Sequence, residues 1–332
     1  MKAQLLQSPA TITTEPLILT ELPRLSAPPK HLLVRISVCG VCHTDLHVVE
    51  GELPNPKLPL ILGHEIVGTV DEVGQGVTGF AVGARVGIPW LHRTDESCEH
   101  CLRGQENLCE SAQFTGYTVD GGYAEYTLVH QDFAVPIPER FSDVEAAPLL
   151  CAGIVGYRSL RLADLQLGER LGLFGFGGSA HLCIQIARYW DCEVYVFTRN
   201  VEHQRHALKL GAGWVGQAQD SPPKQLDRAI IFAPAGWIVP FALEHLRKAG
   251  TLCINAIHMS PVPEMVYHLL WGERTIRTVA NATRRDAEEF LPLAAEIGIR
   301  ADTVTFGLDD ANRALRMLKN GEIKGAAVLQ VR

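Results

Sequence analysis

Residues 171–199, LGLFGFGGSAHLCIQIARYWDCEVYVFTR, carry the fold in miniature. LGLFGFGG at 171–178 reads as a short buried strand entering a glycine turn, and EVYVFTR at 193–199 as a second strand. Between them HLCIQIARYW places Leu182, Ile186 and Tyr189 on one helical face. Strand, helix and strand in this order make one crossover unit of a parallel sheet. Further units follow: RAIIFAP at 228–234, an expected helix through FALEHLRKAG (241–250), and TLCINAI at 251–257. The alternation implies an α/β fold with a doubly wound parallel sheet, covered by helices on both faces.

Upstream the pattern differs. HLLVRISVC (31–39), HEIVGTVDEV (64–73) and GGYAEYTLV (121–129) read as strands, and Gly74, Gly76, Gly79, Gly83 and Gly87 punctuate tight turns. The first 150 residues are therefore expected to form a β-rich domain, and residues 151–281 the parallel-sheet domain. Residues 282–332 contain helical segments (286–298, 309–320) and end in AAVLQV, a strand expected to return to the first domain. At 332 residues, two domains are the natural expectation.

Composition narrows the function. Hydrophobic residues make up 47% and charged residues 20%, values of a globular protein with ample apolar surface to bury. The net charge is −7 with no basic run, which argues against nucleic acid or an anionic membrane as partner. No stretch approaches the roughly 20 apolar residues of a spanning helix, and the N-terminus lacks a long apolar core, so a cytoplasmic location is expected. Nine cysteines are an odd number, and the CxxC spacing of Cys98 and Cys101 favours metal over disulfides. Cys39, Cys183, Cys192 and Cys253 lie in apolar segments and read as packing residues.

The turn Gly175-Phe176-Gly177-Gly178-Ser179-Ala180 joins a strand to a helix. Gly175 permits the tight bend, Gly177 lets a pyrophosphate approach the backbone at the helix N-terminus, and Ala180 takes the third-glycine position. A dinucleotide is the implied ligand. The next strand ends in Thr198 and Arg199, where NAD-binding proteins carry an acidic residue for the ribose hydroxyls. Arg199 suits a 2′-phosphate, giving NADP(H) a small preference over NAD(H).

Three fragments supply candidate metal ligands: Cys42 in CHTDLH, His64 in GHE and Cys151 in LCAG. Alone, each reads more readily as a packing residue. Together, the words occur in the order and spacing of zinc-dependent alcohol dehydrogenases. The sequence resembles that branch of the medium-chain dehydrogenase/reductase superfamily over essentially its whole length. The resemblance implies a GroES-like catalytic domain plus a Rossmann cofactor domain, and interconversion of an alcohol with an aldehyde or ketone. It also implies a homodimer or homotetramer.

The resemblance assigns roles residue by residue. Cys42, His64 and Cys151 match a catalytic zinc site, a Cys₂His set already known for alcohol dehydrogenases, whose open fourth position distinguishes it from a closed structural one. Asp45 matches the carboxylate that orients the liganding histidine. Thr44 matches the hydroxyl that accepts the substrate proton, and His47 the terminal base of the relay that follows. Glu65 matches a carboxylate that can approach the metal, and His43 a position facing the cofactor pyrophosphate. Trp90 falls where a large residue lines the substrate pocket, with Leu53 beside it. A wide indole there suits a small primary or slim aromatic alcohol.

The sequence departs from the family pattern in three places. Asp95 stands where relatives carry the first of four structural-zinc cysteines, ahead of Cys98, Cys101 and Cys109; carboxylate oxygen is an accepted zinc ligand, so a structural Asp-Cys₃ site is expected. Val155 replaces a threonine that contacts the nicotinamide. Gly325 is followed by Ala326 instead of a pyrophosphate-binding arginine, and Arg284 is the candidate to supply the missing charge. Three other readings remain open: a zinc-free quinone or enone reductase, opposed by the complete ligand set; a non-catalytic nucleotide or redox sensor, opposed by intact Thr44 and His47; and a polyol or formaldehyde-type dehydrogenase, opposed by the single-lobe zinc region and the CHTDLH word.

Overall fold

The computed structural model describes residues 1–331, which divide into two compact units: Met1–Cys151 with Asn281–Ala295 and 300–331, and Ala152–Ala280 with Glu296–Ile299. All nine cysteines are free. Among the described residues no helix is long and apolar enough to cross a membrane.

The hub of the first unit is the strand His31–Val41. It runs antiparallel to Glu65–Val73, to Tyr126–His130 and to the C-terminal strand Ala326–Gln330. Leu32, Val34, Ile36 and Cys39 are buried in a core that also takes Ile66, Val70, Val86 and Leu329. The final strand enters this sheet by pairing Val328 with Gly40 and Leu329 with Cys39. Two features go beyond the sequence reading. Lys2–Leu6, Leu17–Glu21 and Leu60–Ile61 form a separate small sheet. The CHTDLH word lies on a short helix, His43–Val49, that follows the hub strand at once.

The second unit is a six-stranded sheet, all parallel, ordered Trp214–Gly216, Glu193–Phe197, Arg170–Phe174, Leu226–Ile231, Leu246–Ile254, Thr275–Thr278. Counted within the unit this is 3-2-1-4-5-6, the Rossmann order, and it places the end of Arg170–Phe174 where the order reverses. One expectation needs correcting. The helix near 241–250 spans Ile238–His245, and Leu246–Ile254 is already strand. Leu246 pairs with Leu226 and is fully buried, so sheet pairing overrides the helical pattern there.

Candidate active site

The hub strand ends at Val41 and delivers Cys42 to the N-terminus of the helix His43–Val49. Asp45, three residues on, folds back so that Oδ2 accepts the Cys42 backbone N–H at 2.9 Å, which caps the helix. The same fully buried carboxylate accepts from the Gly63 N–H at 3.2 Å and from His64 Nδ1 at 3.1 Å. Tyr123 Oη adds a fourth hydrogen bond, to Oδ2 at 3.2 Å. A proton on Nδ1 leaves the lone pair on Nε2. That atom is buried and has no hydrogen-bond partner, so it is free to accept a bound ion or water.

His64 Nε2 does not stand alone. One donor atom from each of Cys42, His64, Glu65 and Cys151 lies within 4.8 Å of the others. The sulfurs of Cys42 and Cys151 are 3.9 Å apart, close to the roughly 3.8 Å that tetrahedral zinc–sulfur bonds of about 2.3 Å impose. The hydrogen bond shared by the two sulfurs is the largest influence on both thiols, holding Cys42 well below and Cys151 well above the ordinary range. Burial would make the His64 ring less basic, but Asp45 and Cys42 outweigh it and raise its pKa. Burial first, then the Cys42 charge, pushes the Glu65 carboxyl up. Two thiols and a carboxyl that resist ionising together, crowded around one orphaned imidazole nitrogen, fit a divalent metal whose charge would let them ionise.

Two glycines make this crowding feasible. A Cβ on Gly40 would sit 1.8 Å from Glu65 Oε2, and one on Gly63 would sit 2.4 Å from the Tyr123 ring. Gly63 also has φ +95°, a region unfavourable to other residues. Neither these glycines nor Tyr123 emerged from the sequence reading. The available signal at Gly40 was an isolated glycine inside an apolar strand, which marks a close approach.

The remaining expected site residues of this unit fall as follows. Thr44 Oγ1 lies 3.8 Å from Cys42 Sγ. His47, half-buried, pairs through Nδ1 with Glu52, a partner the sequence reading missed. His43 is exposed, and Leu53 is half-buried against the core. The Trp90 ring stands at 78° to that of His64, with centroids 4.7 Å apart.

Asp95, Cys98, Cys101 and Cys109 form a second group with donor atoms within 4.8 Å of one another. Asp95 Oδ1 accepts the N–H groups of Ser97 and Cys98, both at 2.9 Å, leaving Oδ2 for another partner. Those two donors, Cys98 first, hold its carboxyl far below the usual range. Arg284 lies beside this lobe. Its guanidinium binds Glu106 at 2.6 and 2.9 Å and Glu96 at 3.2 Å, and covers the Phe133 ring at 4.5 Å. Its expected service to a pyrophosphate is therefore corrected: two carboxylates already neutralise that charge, and Arg284 anchors Asn281–Ala295 to the cysteine lobe.

In the second unit, Gly175 takes φ +90°, and a Cβ there would lie 2.9 Å from Ala233 N. Gly177 begins the helix Gly178–Tyr189, and a Cβ on it would meet no protein atom within 4 Å. That space is open to a ligand. Phe176 and Ala180 are buried. The Thr198 N–H is bound to Gly216 O at 2.7 Å. Arg199 is exposed and makes no side-chain hydrogen bond or ion pair with any described residue. Val155 is half-buried, and its carbonyl accepts from Ser159 Oγ at 2.8 Å.

The profile of the alcohol dehydrogenase GroES-like domain matches residues 28–139. The whole chain is 47% identical, over 339 residues and 97% of the relative's length, to the probable alcohol dehydrogenase AdhA of Mycobacterium tuberculosis (strain CDC 1551 / Oshkosh). The chain belongs to the zinc-type medium-chain alcohol dehydrogenases. Among solved members, cinnamyl alcohol dehydrogenase SbCAD4 of Sorghum bicolor superposes with a TM-score of 0.90 at 28% identity, covering 99% of this chain and 97% of that one. A cobalt- and zinc-bound thermostable alcohol dehydrogenase of Pyrobaculum aerophilum gives 0.89 at 25% identity, with 99% of both chains covered. The fold is that of the family, a GroES-like domain with a Rossmann-type parallel sheet, and the activity class is alcohol oxidoreduction.

Proposed function

We propose that this dehydrogenase is zinc-dependent and interconverts a small primary or slim aromatic alcohol and its aldehyde, with NADP(H) preferred over NAD(H). The observation carrying the reading is the orphaned, buried His64 Nε2 facing two thiols at a tetrahedral-zinc spacing. Cys42, His64 and Cys151 would hold the metal, with Glu65 alongside. When bound, zinc supplies Lewis acidity to the substrate oxygen, and a nicotinamide dinucleotide accepts or returns the hydride.

The chain's own residues do the rest. Asp45, held by Gly63, Cys42 and Tyr123, keeps His64 in the tautomer that presents Nε2. Thr44 Oγ1, next to Cys42, accepts the substrate proton. His47, one helical turn on and supported by Glu52, is the terminal base that passes it toward solvent. His43 serves the cofactor pyrophosphate. Trp90 and Leu53 form the substrate wall, and the flat indole beside His64 favours planar or short substrates. Gly175 and Gly177 cradle the pyrophosphate, with Phe176, Gly178 and Ala180 shaping the turn, while Val155 packs at the nicotinamide. Thr198 and the unpaired Arg199 read the adenosine ribose and its phosphate. Asp95, Cys98, Cys101 and Cys109 would hold a structural zinc that clamps a lobe with little core of its own.

The partner proposed beyond the substrate is a second copy of the chain. The edge strand Thr275–Thr278 is exposed at all four residues, with exposed Trp271, Tyr267 and Val266 near it in sequence. A monomer by sedimentation equilibrium would refute this.

The test of the function is reduction of NADP⁺ and NAD⁺ by benzyl alcohol and ethanol. NADP⁺ should show the higher kcat/KM. Arg199→Ala should erode that preference about tenfold, the worth of one charge-assisted hydrogen bond. An unchanged cofactor ratio in Arg199→Ala refutes the role of Arg199, and no alcohol-dependent reduction refutes the activity.

A further inference from the structure

We propose that Tyr117 is a positioning residue that sets how the active site receives flat substrates, by holding both Trp90 and the loop carrying Leu53. The inference rests on the reading of Trp90 and Leu53 as the substrate wall.

Trp90 is fixed first through its backbone. Its carbonyl accepts the Thr115 N–H at 2.8 Å, and Thr115 Oγ1 donates to Pro89 O at 2.9 Å. The indole then stacks on Tyr117 with centroids 5.7 Å apart and planes 12° apart, and on Phe114 at 5.4 Å and 25°. Phe114 and Tyr117 are 6.4 Å from each other, too close to flank opposite faces. Both rings therefore back the same face of the indole, a geometry that resists tilting of the wall beside His64.

Tyr117 also reaches a second element. Its hydroxyl donates to Pro54 O, and its carbonyl accepts the Lys57 N–H at 2.9 Å. Leu53 directly precedes Pro54, and Glu52, the partner of His47, precedes Leu53. The far end of this loop has its own anchor, because Lys57 Nζ binds Asp120 at 2.7 and 2.8 Å and Pro59 O at 3.0 Å. At the near end, the Tyr117 hydroxyl ties the residue next to Leu53. One side chain thus fixes the wall by its ring and the loop by its hydroxyl.

Two variants separate these actions. Tyr117→Phe keeps the stack and releases Pro54; Tyr117→Leu removes both. Each is compared with wild type by KM for benzyl alcohol and for ethanol, by near-ultraviolet circular dichroism, and by hydrogen exchange of the peptide covering residues 51–57. Tyr117→Leu should raise the benzyl-to-ethanol KM ratio roughly two- to tenfold, the worth of a lost aromatic pair, and weaken the aromatic dichroism. Tyr117→Phe should restore the ratio and the dichroism to near wild type, yet exchange at residues 51–57 severalfold faster. A ratio unchanged in a folded Tyr117→Leu overturns the role in the wall, and exchange unchanged in Tyr117→Phe overturns the role in the loop. Wild-type protein without alcohol turnover would instead overturn the underlying function, which the first arm of the assay reads separately.

Discussion

Replacing Gly40 with alanine tests how tightly the candidate metal site is built. Gly40 pairs directly with Glu65 across two antiparallel strands. Such pairs ordinarily keep their Cβ atoms about 4.5–5.5 Å apart. A Cβ on Gly40 would lie 1.8 Å from Glu65 Oε2 and 2.8 Å from both Cβ and Cδ. Rotating the carboxylate clears the oxygen, but the Cβ–Cβ clash persists because both atoms are fixed to backbone. The strands must part, and Glu65 is too buried to escape into solvent. Overpacking of this kind costs about 1–3 kcal/mol, and the backbone clash places Gly40→Ala near the upper end, about 3 kcal/mol. At about 2–4 °C per kcal/mol for a unit of this size, the melting temperature should fall by about 6–12 °C. The assay is a double-mutant cycle of thermal melts with Glu65→Gly, which moves the missing side chain to the other strand. In that background the added methyl should cost about 1 kcal/mol or less. Gly40→Ala melting within about 2 °C of wild type would refute the reasoning, as would an equal penalty in both backgrounds.

Three further outcomes follow from the same geometry. Tyr123→Phe removes one of the four hydrogen bonds on Asp45 and should weaken zinc retention about tenfold in chelator competition; unchanged retention would show that Asp45 is held without it. His92 is buried, and burial first, then the fields of His31, Arg93 and His130, lowers its pKa from 6.5 to about 4. Above pH 6.5 the ring is neutral whether folded or unfolded. Below it only the unfolded chain binds the proton, so stability falls as pH drops toward 4, by about 2 kcal/mol between pH 7 and 5. Urea midpoints at those two pH values should show that loss in wild type and a smaller one in His92→Gln; parallel losses would contradict it. Asp95→Ala should lose the metal of the cysteine lobe and lower the melting temperature while leaving the metal at Cys42 in place, as metal analysis and melts would show. Retention of both metals would mean that Asp95 is no ligand.

Much of the fold was legible because its signals are local. The run from Leu171 to Phe197 contains a complete strand–turn–helix–strand unit, and the parallel sheet follows from repeating it. The words around Cys42, His64 and Cys151 likewise name three residues that the fold gathers from distant positions. What the sequence hid depends on pairing between remote segments. Tyr123 meets Asp45 across 78 positions, and Gly40 yields space to Glu65 only because their strands align in register. Arg284 shows the limit most clearly. Its charge was visible, but which anion it serves depends on the tertiary placement of Glu106 and Glu96. The helix expected to continue to Gly250 stops at His245 because burial of Leu246 in the sheet outweighs local helical preference.

Cys42, His64 and Cys151 are proposed to hold a zinc ion required for turnover. Zinc per chain, measured together with alcohol turnover in wild type and in Cys151→Ala, tests this role most directly. Active wild type should hold two zinc ions, one for each donor group. A folded and inactive Cys151→Ala should hold one. Equal zinc content in the two proteins, or full activity in wild type stripped of metal, would contradict it.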